Sequence, residues 1–320
     1  MRISKNFIKV IGFWLGLFVI LEGLSLAFNR DKNIYDINSV KCKAVEIDAE
    51  ADNSIEVIFC GDSECYSTFC PLQMYQEYGF TSYVCATSAQ RLCDTYAILE
   101  NTFKTQSPKV VVLETNCLYR NSTSKCEDED SVIQFLSKYM PVFAYHSDWK
   151  NLGGGFFEQG KGKSERDFKG FVLRKSVIPY TGGAYMNKTD IVEGFPDATY
   201  EYLEKILKLC QENNAKLMLV SVPSPKNWSY EKHNAVTEWA QKYDVAYMDL
   251  NLENNIDIDW LTDTKDGGDH LNFVGAKKAT HFMGAYLFNK YTLLDRRKNP
   301  DYKAWEDCVS ASGEFSSKRD

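Results

Sequence analysis

The sequence predicts an α/β protein built on a mainly parallel sheet, and three observations predict it. Of 320 residues, 44% are hydrophobic and 25% charged, a composition that can bury a core and is not that of a disordered chain. Short apolar runs of strand length recur, each closed by Gly, Pro or a polar turn. Between them, apolar residues fall at helical spacing. Strand, helix, strand, helix, strand within about sixty residues requires crossover connections, and these lay helices on the faces of a parallel sheet.

The elements follow in chain order. Arg2, Lys5 and Lys9 precede an almost wholly apolar run, Val10 to Phe28, in which Glu22 is the one charge. Nineteen residues is close to the roughly 20 that cross a bilayer as a helix, and the cationic flank places the N-terminus inside. Residues 1–30 therefore read as a membrane anchor, with the rest of the chain outside the cell membrane. Ser25-Leu26-Ala27 keeps a cleaved signal peptide as the rival, and a buried core helix is the third reading. Residues 31–54 are polar and read as a spacer. Residues 55–295 form the domain, and 296–320 a charged surface tail.

Within the domain, Ile55 to Cys60 reads as a buried strand ending at Gly61. Pro71 to Tyr78 reads as a short helix stopped by Gly79, and Thr81 to Cys85 as a second strand. Leu92, Tyr96, Leu99 and Phe103 mark one helical stripe, and Pro108 to Leu113 a third strand. Residues 118–195 break the rhythm and read as an insertion or lid, with Gly153-Gly154-Gly155 and many aromatic residues. A helix from 197, a strand from Lys216 to Val222, a helix over 231–242, a strand from Val245 to Leu250 and a last helix from Asn272 to Lys290 complete the pattern.

Charge and cysteine use exclude some functions. The net charge is −7, and no basic footprint for nucleic acid is visible. Ten cysteines form no CxxC pair, so no zinc or redox site is expected, and Cys60, Cys85, Cys117 and Cys210 read as small buried hydrophobes. A disulfide between some pair stays open.

Two stretches carry chemistry. Gly61-Asp62-Ser63 follows the first strand, where open α/β sheets bind ligands. A serine there is exposed in a crevice with backbone N–H groups at hand. Asp266-Gly267-Gly268-Asp269-His270-Leu271-Asn272 places one of only four histidines in a glycine-rich loop with carboxylates nearby. A general base needs such a carboxylate to fix its tautomer. Asp266 sits across a Gly-Gly bend and is preferred over Asp269, whose side chain points away from that of its neighbour.

Together the stretches resemble the SGNH (GDSL-like) hydrolase family. Ser63 matches the family nucleophile and His270 its base. In Thr87-Ser88-Ala89, Ala89 stands where the family has an oxyanion-hole glycine, and in Glu114-Thr115-Asn116, Asn116 matches the asparagine that completes the hole. The loop holds one residue more than the family's Asp-x-x-His. The resemblance covers 55–122 and 214–290 and implies a three-layer α/β/α fold. It also implies an acyl-enzyme on Ser63, with Asp266 orienting His270 and with Ser63, Ala89 and Asn116 as oxyanion donors, and it implies no metal or organic cofactor.

Gly61-Asp-Ser-Glu-Cys, Val222-Pro-Ser-Pro and Asp269-His-Leu-Asn further resemble membrane-anchored envelope proteins similar to those of teichoic-acid D-alanylation and glycan O-acetylation. That implies an extracytoplasmic esterase or O-acyltransferase acting on acylated envelope glycans or polymers, with a membrane-bound O-acyltransferase as candidate partner. The alternative is a non-catalytic module of the same fold that binds a glycan or an assembly partner. Among other residues, His146 with Trp149 reads as a packed or surface pair, His281 as structural, and His233 as solvent-facing. Trp228 stacks on a sugar or packs in the core.

Overall fold

The computed structural model describes residues 5–28, 46–120 and 168–315. Helix α1 (Lys5–Phe28) falls in a different compact unit from the one that begins at Lys43. The expected apolar helix is present and starts ahead of the expected run. Among the described residues, however, no helix is long and apolar enough to cross a membrane. The helix is therefore observed, and its reading as a span is not supported.

The second unit is an α/β domain. Its strands are β1 (Val57–Gly61), β2 (Ser82–Ala86), β3 (Val110–Glu114), β4 (Lys216–Ser221) and β5 (Ala246–Asp249). All pair in parallel, in the order β2-β1-β3-β4-β5. The helices are α2 (Ser63–Thr68), α3 (Pro71–Tyr78), α4 (Leu92–Thr102), α5 (Asp197–Glu212), α6 (Tyr230–Lys242), α7 (Phe273–Lys290) and α8 (Lys303–Ser312).

The strands of the central trio are buried on both faces, which is why they read as continuous apolar runs. Alternation then sorts their side chains into two cores. Ile58, Cys60, Val111, Leu113 and Leu219 pack with Leu99 of α4, Ile206 of α5 and Trp239 of α6. Val57, Phe59, Val110, Val112 and Val220 pack on the other face with Ala279, Met283 and Leu287 of α7. Three layers result, as the resemblance implied.

Two boundaries differ from expectation. The packed domain begins before residue 55, because Ile47 is buried in the first core and the Ser54 N–H bonds to the Gln106 side chain. The tail after 295 is not wholly on the surface, since Trp305 of α8 and Phe315 are buried and the Trp305 ring lies 5.3 Å from that of Tyr75. Isolated aromatic residues in a charged segment carry no period from which burial can be read.

The described part of the insertion, 168–195, has no strand or α-helix. It runs past β2, where Lys169 O accepts from Val84 N, and on to the 260–273 loop, where Ile178 N donates to Thr264 O and Tyr180 N to Trp260 O. His146 and Trp149 lie outside the described residues.

Candidate active site

The strand order creates one reversal. The chain leaves β1 towards β2 on one side and returns to β3 on the other, so the crevice at the carboxyl ends of β1 and β3 is the place where a ligand fits such a sheet. Gly61 closes β1 there with φ +152°, and a Cβ on it would meet Glu114 Cβ at 2.7 Å. Asp62 then caps α2 by accepting from Glu64 N at 3.0 Å. Ser63 is the first residue of that helix, so its N–H has no acceptor within the helix.

His270 comes from the far end of the chain. Thr264 and Leu271 form an antiparallel bridge, and between them Gly267 (φ +76°) and Gly268 (φ +92°) reverse the backbone in the left-handed region. The Thr264 hydroxyl ties the turn by donating to His270 O and accepting from Gly268 N. The bend carries Asp266 under the imidazole. Its Oδ1 accepts from His270 N at 2.8 Å and its Oδ2 lies 2.7 Å from His270 Nδ1. His270 Nε2 lies 2.8 Å from Ser63 Oγ. Asp269 is a more distant neighbour, 3.5 Å from Nδ1.

With Nδ1–H donated to Asp266, Nε2 is left as the acceptor facing the serine hydroxyl, which is the protonation pattern of a general base.

Asn116 follows β3 and is held by its own N–H, which donates to Glu114 Oε1 at 2.6 Å. Its side-chain amide donates to Asp62 Oδ2 at 3.3 Å, leaving the second amide hydrogen for the crevice. Ala89 follows β2 with φ +53°, so it adopts the left-handed conformation for which a glycine is the ordinary choice.

Sequence reasoning missed the polar shell behind the serine. Asp62, Glu64 and Glu114 are all buried, and one guanidinium, Arg120, pairs with Asp62. Burial pushes the Glu64 carboxyl well above its usual range, and the charges of Glu114 and Asp62 add to the rise. Glu114 is raised in the same way, by burial first and then by Asp62. Both carboxyls are thus favoured in the neutral form beside the Asp62–Arg120 contact. Glu64 Oε1 accepts from Asn227 Nδ2 at 2.5 Å, and Asn227 Nδ2 also reaches Asp269 Oδ1 at 2.5 Å. The only available signal was Glu64 itself, a charge adjoining the serine on a short helix. Asn227 lies in a Pro-rich turn with no period to read.

One other expectation is corrected, and of the two readings of Trp228 the structure shows the second. His233 does not face solvent: its side chain is 19% exposed and its Nδ1 lies 2.9 Å from Asp249 Oδ2. Trp228 is core, with its ring buried and its indole N–H donated to Asp249 at 2.9 Å. His281 is exposed and pairs with Glu77 at 2.8 Å, tying α7 to α3. Cys60, Cys85, Cys117 and Cys210 are buried free thiols, and Cys93 is disulfide-bonded.

No protein-family profile matches the chain, and no curated protein does. Among solved structures, it is similar to GDSL-like lipases, acylhydrolases and carbohydrate esterases. A GDSL-like lipase from Bacteroides thetaiotaomicron is 13% identical, with 80% of this chain and 100% of that one covered at a TM-score of 0.41. A lipase/acylhydrolase from Enterococcus faecalis is 12% identical over 76% of this chain and 100% of the other, with a TM-score of 0.39. A family 3 carbohydrate esterase from Clostridium thermocellum is 13% identical over 73% and 96%, also at 0.39. Scores and identities this low carry no argument about chemistry.

Proposed function

We propose that the protein is a serine esterase or O-acyltransferase that works through an acyl-enzyme on Ser63. One observation carries this reading: Ser63 Oγ lies 2.8 Å from His270 Nε2 while His270 Nδ1 lies 2.7 Å from Asp266. In the first step Ser63 Oγ attacks the acyl carbonyl carbon and its proton passes to His270 Nε2. Asp266 stabilises the imidazolium. The N–H groups of Ser63 and Ala89 and the Asn116 amide take the negative charge that grows on the carbonyl oxygen. Collapse expels the alcohol, which receives the proton from His270. Water or a second hydroxyl then attacks the acyl-serine with His270 as base, giving hydrolysis or transfer.

The substrate we propose is an acylated glycan or polymer of the cell envelope. Support comes from Tyr180, Tyr185 and Trp260, three half-buried rings with centroids 5.9–6.5 Å apart beside the histidine loop, where a sugar ring has apolar faces to rest on. An extracytoplasmic, membrane-held location is part of the same proposal. It rests on the apolar run behind three cations, and a disulfide at Cys93 suits an oxidising compartment. A membrane-bound O-acyltransferase would be the donor-side partner.

The deciding experiment is labelling with a fluorophosphonate probe, run beside hydrolysis of p-nitrophenyl acetate. Wild type should label on Ser63 and turn over the ester, and Ser63→Ala should do neither while keeping its circular dichroism spectrum. A folded wild type that neither labels nor turns over refutes the acyl-enzyme and leaves a binding module. A higher kcat/KM for an O-acetylated oligosaccharide than for the small ester supports the glycan, and an equal or lower one counts against it.

A further inference from the structure

The turn after β4 touches both halves of the candidate site. Ser224 Oγ is 2.9 Å from Asp269 O and 3.2 Å from Glu64 Oε1. Lys226 N donates to Gly268 O at 3.1 Å, and Lys226 Nζ to Asp266 O at 2.6 Å. At its centre, Asn227 Nδ2 holds Glu64 Oε1 and Asp269 Oδ1, each at 2.5 Å, and so uses one hydrogen for each carboxyl. Glu64 adjoins the nucleophile, and Asp269 adjoins the base.

We propose that Asn227 is a positioning residue for acyl transfer: by tethering Asp269 to Glu64, it keeps Asp269 from displacing Asp266 at His270 Nδ1. The inference rests on the reading of Ser63 and His270 as nucleophile and base. Nδ1 carries one proton, and two carboxylates stand within reach of it, Asp266 at 2.7 Å and Asp269 at 3.5 Å. A bond to Asp266 leaves Nε2 aimed at Ser63. A bond to Asp269, which approaches from the adjoining residue, turns the ring away. The Asp269 side chain is 39% exposed, and burial alone does not hold it.

Charged groups reach this cluster from several elements, with Lys226 Nζ 2.6 Å from Asp266 O and Arg174 acting on Lys265. Glu64 faces Glu114, Asp62 and Asp269, while Arg120 pairs with Asp62. His270 faces Asp266 and Asp269, and Lys265 Nζ lies 3.9 Å from Asp266.

The experiment measures kcat and KM of Asn227→Ala, Asp269→Ala and the double variant on p-nitrophenyl acetate across pH 5–9. Asn227→Ala should lower kcat by roughly 10- to 100-fold, the size of effect that small misplacements in active sites produce. KM should change little. Adding Asp269→Ala should restore kcat to the level of Asp269→Ala alone. A kcat unchanged in Asn227→Ala, or a loss that Asp269→Ala does not relieve, overturns the proposal. If Asn227→Ala does not fold, Asn227→Ser, which keeps polarity but loses reach, carries the same expectations. A wild type unreactive towards fluorophosphonate overturns both this inference and the function it rests on, whereas a reactive wild type with a fully active Asn227→Ala overturns this inference alone.

Discussion

The domain holds two histidine–aspartate pairs of nearly equal length, one beside the end of the edge strand β5 and one facing the serine past β1, and their surroundings differ. His270 meets Asp266 at 2.7 Å and His233 meets Asp249 at 2.9 Å. Around His233 the carboxylate is fully engaged. Asp249 accepts from Trp228, Tyr247, Asn251 and the imidazole, and the Tyr247 hydroxyl continues through Ser221 to Thr115. The other ring nitrogen of His233 lies 3.4 Å from the Thr237 hydroxyl, which is already donated to His233 O. Around His270 the second nitrogen instead meets a serine at the mouth of a crevice. The pair alone therefore does not set the two corners apart; the serine on the far nitrogen does. The network around His233 ties β4, β5 and α6 together, and the one around His270 ends at a serine.

The largest effects should separate the two histidines. His270→Ala should lower turnover by about 10⁴-fold or more, because members of a nucleophile–base unit fail together. His233→Ala should leave turnover within a few-fold of wild type and instead lower stability by about 1–3 kcal/mol, the cost of unpairing a buried acceptor. Ester hydrolysis and thermal melts of both variants make the comparison. Comparable activity losses in two folded variants would erase the distinction.

The carboxylates should follow the same division at somewhat smaller size. Asp266→Asn should cost about 10⁴-fold in acylation, since the amide favours the wrong tautomer. Asp249→Asn should act on the melting temperature alone. Asp269→Asn should be much milder than Asp266→Asn in acylation rate, because it stands 3.5 Å from Nδ1 rather than 2.7 Å. A crippled Asp269→Asn beside a healthy Asp266→Asn would reassign the acid.

How much of this was legible in the sequence follows from which interactions are periodic. The strands and helices were legible because burial on a sheet face or a helix stripe repeats, as at Val110 to Leu113 and at Leu92, Tyr96 and Leu99. Ser63 was legible from its place just past a strand and His270 from its glycine-rich loop, while Asn116 was legible only through the family resemblance. Asp266 was legible from the Gly-Gly bend. Glu64, Arg120, Glu114 and Asn227 were not, since they meet across |i−j| distances as large as 163 and share no spacing rule. His233 was misread because a histidine at the start of a helix gives no sign of an aspartate on a neighbouring strand.

A pH experiment sharpens the contrast between a satisfied corner and a strained one. Glu64 has a folded pKa raised well above its ordinary 4.5, chiefly by burial. In the unfolded chain it ionises near its ordinary value, while in the folded chain it keeps its proton to higher pH. The native state then binds more protons, so stability falls as pH rises from about 4.5 towards the raised value. Glu64→Gln keeps an acceptor for Asn227 and removes the ionisation. It should raise the melting temperature at pH 8 more than at pH 5, where the carboxyl is closer to neutral in both states. Equal shifts at the two pH values would show that the carboxyl titrates normally.

The smallest expected effect lies at Ala89, and it tests whether the open corner stores backbone strain. Among the described residues, the non-glycine positions with positive φ are Asn53, Ala89, Lys169, Asn214, Asp244, Asp257 and Lys298. Four of these are Asn or Asp, whose short polar side chains bond locally and tolerate that region. Ala89 has only a methyl group, at φ +53°, and gains nothing from it there. The left-handed conformation costs an alanine roughly 1–2 kcal/mol, and glycine returns part of that through the greater freedom of the unfolded chain. Ala89→Gly should therefore stabilise the domain by about 0.5–1 kcal/mol. The substitution leaves the N–H in place, so an oxyanion donor at 89 predicts a kcat equal to wild type or higher. Urea melts and steady-state hydrolysis of the same variant read both quantities. A destabilised Ala89→Gly would mean that the methyl group is held by packing rather than endured. A stabilised variant with much lower kcat would mean that the strain itself aims the N–H.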